Sequence, residues 1–116
     1  MRFVPTLLHG MVDYAVGVFL IALSFFIGWS GMAGWLVAVA GAAAIFYAAL
    51  TDYELGITRI MPVRLHLGLD AAFGVAMFAL GRIVAGDGGF AWVFYSIGMA
   101  AIILAVVTKI KPAAYR

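Results

Sequence analysis

Laid against itself at an offset of 57 residues and with no gap, the chain matches residues 2–54 with residues 59–111 at 18 of 53 positions. A repeat of this length constrains the fold more than any single motif, because each copy must build the same unit and stack it on its twin. The matched pairs include Arg2 with Arg59, Pro5 with Pro62, His9 with His66, Asp13 with Asp70 and Gly17 with Gly74. Further along come Trp35 with Trp92, Gly41 with Gly98 and Thr51 with Thr108.

Hydropathy identifies the unit. Hydrophobic residues make up 67% of the chain and charged ones 10%, and the mean hydropathy is +1.18. Soluble domains carry about 25% charged residues, and a chain this short could not bury so much apolar surface on itself. Roughly 20 apolar residues cross about 30 Å of hydrocarbon as a helix. Four runs qualify, at about 7–28, 34–51, 65–85 and 91–108. They are joined by WSGMAG, DYELGITRIMPVR and AGDGGF, whose Gly, Ser, Asp and Pro content marks turns.

The expectation is an all-α membrane protein of four transmembrane helices, a tandem parallel repeat of one helical hairpin. The copies occupy residues 1–57 and 58–116 of one integral domain. Because each holds two spans, both enter the bilayer from the same side, about a pseudo-twofold axis along the membrane normal.

Arg2, Arg59, Arg64, Lys109, Lys111 and Arg116 fall on one side of the spans and Arg82 alone on the other. The positive-inside rule then puts both termini in the cytoplasm. Trp29, Trp35 and Trp92 reach the outer interface, where indoles are favoured. The basic residues form no run or stripe, so nucleic acid is not an expected partner. With no cysteine, disulfides, thiolate metal sites and C-x-x-C redox chemistry are excluded. The first apolar run is longer than a signal-peptide core and no A-x-A site follows it, so it is expected to stay attached.

Small residues at seven-residue spacing, Gly34, Gly41 and Ala48 in one run and Ala91, Gly98 and Ala105 in another, predict close helix approach, with Gly17 and Gly74 on the partner helices. Thr51 and Glu54 have the spacing of a capping box that would start a short interfacial helix. Arg82 is expected to snorkel outward or to pair with Asp87.

The residues that could carry chemistry are His9, Asp13, His66 and Asp70. His9, Asp13 and Gly17 lie at i, i+4 and i+8 and share one helix face, and His66, Asp70 and Gly74 repeat the pattern. A carboxylate facing lipid would be costly, so both faces should point into the bundle and bring the two pairs together across the axis. Three readings follow. The pairs are polar locks that fix the fit of the two halves; or they serve an oligomeric proton, cation or small-solute transporter; or His9 and His66 bind haem or a metal ion. The first is preferred and needs no cofactor; its partners are the lipid bilayer and, for transport, further copies of the chain. No nucleophile elbow or acid and base constellation points to an enzyme.

HGMVDYAVGVFLIA and TDYELGITRIMPVRLHLGLDAAFG resemble the SPW-repeat family of small bacterial integral membrane proteins. The likeness spans nearly the whole chain: the His and Asp of each copy, the tyrosine after the first Asp, the TDYELG loop and the Pro before the second His. It implies four spans in two repeats and a bacterial inner membrane, and it brings no catalytic residues. Where that family has Ser, Pro and Trp, this chain has Leu23, Ser24 and Phe25, then Leu80, Gly81 and Arg82.

Overall fold

The computed structural model describes residues 1–26, 31–84 and 90–110. Among them are four α-helices and no β-structure beyond isolated bridges: α1 (Thr6–Phe26), α2 (Gly31–Leu50), α3 (Val63–Val84) and α4 (Ala91–Val107). Trp29, Asp87, Lys111 and Arg116 lie outside the described residues.

Three helices are long and apolar enough to cross a membrane. At about 1.5 Å per residue, the 21, 20 and 22 residues of α1, α2 and α3 cover the hydrocarbon thickness. The fourth is shorter than the expected full span, with 17 residues. Its end has a specific cause. Thr108 leaves the helix in an extended conformation (φ −81°, ψ 138°) and forms a bridge with Val4.

Each hairpin is packed tightly on itself, α1 against α2 and α3 against α4, whereas α2 and α3 touch much less. The tight packing is glycine on glycine. A Cβ added to Gly41 would sit 2.6 Å from the Gly17 carbonyl oxygen, and one on Gly98 would sit 2.7 Å from that of Gly74. Both distances are below any real Cβ contact, so backbone lies on backbone at these crossings. Gly41, Ala48, Gly98 and Ala105 of the expected seams are buried, while Gly34 and Ala91 are half-buried.

The hairpins meet in two layers. At one end an apolar core joins Leu20, Ala33 and Val37 of the first to Met77, Leu80, Val84 and Phe94 of the second. At the other end backbone hydrogen bonds cross between them. The N–H groups of Phe3 and Val4 donate to Val107 O, and Lys109 N–H donates to Val4 O. The same three bonds occur 57 residues on: Ile60 and Met61 donate to Leu50 O, and Asp52 donates to Met61 O. The starts of α1 and α3 are thereby held beside the ends of α4 and α2, and Arg2 adds bonds to the α4 carbonyls of Ala105 (2.8 Å) and, past its end, Thr108 (2.9 Å).

The expected capping box and its interfacial helix do not form. Residues 51–62 run as turns and extended chain. Thr51 is fully buried and its hydroxyl donates to Tyr47 O at 2.6 Å, back along α2. Glu54 instead accepts the Thr6 hydroxyl at 2.6 Å. Exposed Arg82 stands in the last turn of α3 at the opposite end, and Trp35 and Trp92 are exposed near the starts of α2 and α4.

Candidate functional site: a buried His and Asp cluster

On α1 the i, i+4 spacing stacks His9 and Asp13 on one face, and on α3 it stacks His66 and Asp70. The backbone bonds at this end set the two faces against each other, and all four side chains converge. One donor atom from each lies within 4.8 Å of every other. His9, His66 and Asp70 are buried and Asp13 nearly so, its side chain 10% exposed.

The pairing is crossed. His9 Nε2 lies 2.6 Å from Asp70 Oδ2 and 3.2 Å from Asp13 Oδ1 on its own helix. His66 Nε2 lies 2.9 Å from Asp13 Oδ2 and 3.2 Å from Asp70 Oδ2 on its own helix. Each imidazole is thus nearer the carboxylate of the other hairpin. The rings meet edge to face with centroids 5.3 Å apart.

A second layer fixes the first. His9 Nδ1 is 2.6 Å from Thr108 Oγ1, and His66 Nδ1 is 2.7 Å from Thr51 Oγ1. These bonds also cross between hairpins, one from α1 to the end of α4 and one from α3 to the end of α2. Tyr47 donates to Asp70 Oδ1 at 2.6 Å, and Tyr53 donates to Asp13 Oδ2 at 2.8 Å. Tyr53 lies in the connection after α2, where burial and then the neighbouring Asp13 carboxylate push its hydroxyl above the usual phenol pKa.

The proton positions on His66 follow from Thr51. A hydroxyl has one proton to give, and that of Thr51 goes to Tyr47 O. Nδ1 of His66 must therefore be the donor in its bond to Thr51. Its Nε2 has carboxylate oxygens at 2.9 and 3.2 Å but no aligned hydrogen bond to either. An uncharged ring would turn a bare lone pair toward two anionic oxygens there, so the position calls for positive charge. Beside the cluster, a cavity of about 30 Å³ touches His9, Asp13, Tyr47 and Asp70 and is otherwise walled by apolar side chains. It has room for a water or two.

No family model matches the chain, nor does any curated protein or solved structure. Chemistry alone therefore has to indicate what the cluster does. It brings together the four residues expected from the sequence, whereas Gly17, Gly41, Gly74 and Gly98 stay within their own hairpins as packing contacts. Sequence reasoning missed Thr51 and Thr108 as imidazole partners, although both were visible as a matched pair at the same end of the chain's spans as the histidines. Tyr47 and Tyr53 had no such signal, since Leu104 and Ile110 stand at the matching positions.

Replacing Thr51 and Thr108 together by Val keeps their shape and leaves both Nδ1 atoms without partners. Each unsatisfied buried group costs about 1–3 kcal/mol. The unfolding midpoint in detergent should fall well below that of Thr58→Val, which alters an exposed residue.

Proposed function

We propose that this is a small membrane-spanning structural or interaction protein in which the His9, Asp13, His66 and Asp70 cluster locks two hairpins into one bundle. The observation that carries this reading is the crossed pairing, with 2.6 and 2.9 Å between hairpins against 3.2 Å within each helix. Had the pairs served only their own helices, the in-helix contacts would be the shorter ones. Because packing between the hairpins is sparse, polar bonds at this end have a large share in joining them.

The reading includes a tandem duplication with a pseudo-twofold axis along the membrane normal. It is supported by the sequence repeat and by contacts that recur 57 residues apart, among them the His to Thr bonds and the glycine crossings. It also includes membership of the SPW-repeat family and a place in a bacterial cytoplasmic membrane, with α4 as a short fourth span met by local thinning of the bilayer. Exposed Phe19, Phe46, Val75 and Ile103 would then face lipid. Arg2, Arg59, Arg64 and Lys109 share the end where α1 and α3 start and α2 and α4 finish, which favours cytoplasmic termini.

Transport draws less support, since the space beside the cluster admits only a water or two and the four polar side chains close on one another. A haem between two rings in direct edge contact at 5.3 Å would have to part them.

Asp13→Asn with Asp70→Asn tests the lock. Removing both charges leaves two buried imidazoles without counter-ions, and breaking such pairs costs roughly 3–5 kcal/mol. The metal-free protein in detergent should melt markedly earlier than wild type. Unchanged melting together with lost ion flux in liposomes would replace the lock with transport.

Orientation is tested by cysteine labelling, since the chain has none of its own. A thiol reagent that does not cross membranes should label Met32→Cys on intact cells and Thr58→Cys only after permeabilisation. The reverse pattern would turn the topology over.

A further inference from the structure

We propose that the cluster is a binding site for one divalent transition-metal ion of the zinc class, held by Nε2 of His9 and His66 and one oxygen each from Asp13 and Asp70. The site uses the same four side chains as the structural reading and rests on their convergence as described above.

Geometry comes first. With bonds of about 2.0–2.2 Å, a tetrahedral ion spaces its ligands about 3.3–3.5 Å apart. Asp70 Oδ2 lies 2.6 and 3.2 Å from Nε2 of His9 and His66, while Asp13 meets His9 through Oδ1 at 3.2 Å and His66 through Oδ2 at 2.9 Å. One ligand atom from each of the four side chains lies within 4.8 Å of the others, and the shortest separation, between His9 and Asp70, would open by less than 1 Å to seat an ion between them.

The independent observation is His66 Nε2. It belongs to a fully buried ring, it has no aligned hydrogen bond, and it points at both carboxylates. Its Nδ1 already carries a proton for Thr51, so Nε2 is the nitrogen left for a metal, which it binds on giving up its own proton. In structural and catalytic metal sites alike, a ligating imidazole donates its other N–H to a fixed acceptor. The His66 to Thr51 bond is such an arrangement, and Tyr47 orients Asp70 through the oxygen that does not face the imidazoles.

Charge agrees with geometry. Two carboxylates buried at membrane depth require two positive charges nearby. A divalent ion supplies both in the same place, each Nε2 binding it as an unprotonated nitrogen. Two imidazoles and two carboxylates suit zinc and its first-row neighbours. They do not suit calcium or magnesium, which take six or more oxygen ligands or keep much of their water.

The test uses the full chain in detergent, stripped by a chelator and titrated with Co²⁺ as a visible probe of coordination. One Co²⁺ per chain should bind with the intense bands of a tetrahedral site, Zn²⁺ should displace it, and the melting temperature should rise with metal concentration. His66→Gln and Asp70→Asn should each weaken binding by more than the roughly 10–100-fold that loss of an outer-shell partner costs. Glu54→Gln, outside the cluster, should bind as wild type does. Folded wild-type protein that takes up no Co²⁺, or a weak octahedral spectrum unchanged by His66→Gln, would overturn the site. The wild-type spectrum decides even where a variant fails to fold. The lock is judged on metal-free protein, so a chain that binds no Co²⁺ yet is destabilised by the paired Asn substitutions would keep the lock and lose the metal.

Discussion

Two carboxylates on helices long and apolar enough to cross a membrane set the terms for everything around them. Asp13 and Asp70 sit among apolar side chains, and the groups that receive them from the opposite hairpin include the imidazoles. That requirement pulls α1 and α3 together at one end and makes the Thr51 and Thr108 hydroxyls and the Tyr47 and Tyr53 phenols necessary as second partners. Low dielectric gives each of these bonds more weight and makes any unpaired atom more costly. Packing shares the work differently in the two layers. Glycine crossings hold each hairpin as a unit, and the apolar core joins the hairpins at the far end.

The helices, their approximate bounds and the meeting of the four polar residues were legible in the sequence, because hydropathy and the 57-residue offset both act over long stretches. What was illegible was local. The α4 helix ends at Val107 because the extended chain at Thr108 pairs with Val4, a partner more than a hundred residues away. Thr51 fits a capping box by spacing, yet burial beside His66 gives its hydroxyl a stronger demand. Tyr47 and Tyr53 were hidden for a simpler reason, since a repeat can only point to positions it has copied. Crossing was also beyond reach, because spacing along one helix says which residues share a face and not which hairpin supplies the closer partner.

The tyrosines also make the two halves chemically unequal. Asp70 receives Tyr47 from α2, and Asp13 receives Tyr53 from the connection that follows it, while the matching positions in the second copy are apolar. Both phenols therefore come from the first copy, and each carboxylate has one. His66 shows the same inequality, with an Nε2 that lacks the aligned bond His9 makes to Asp70. The two hairpins in this way share a single composite site, in which each histidine has its closer carboxylate on the other hairpin.

The central claim is that each histidine serves the opposite hairpin, and a double-mutant cycle addresses it directly. Coupling between His9 and Asp70, measured from unfolding free energies in detergent, should exceed coupling between His9 and Asp13 by about 1 kcal/mol or more, within the usual span of about 0.5–3 kcal/mol for contacting residues. Equal couplings, or a larger one for the pair on the same helix, would contradict it.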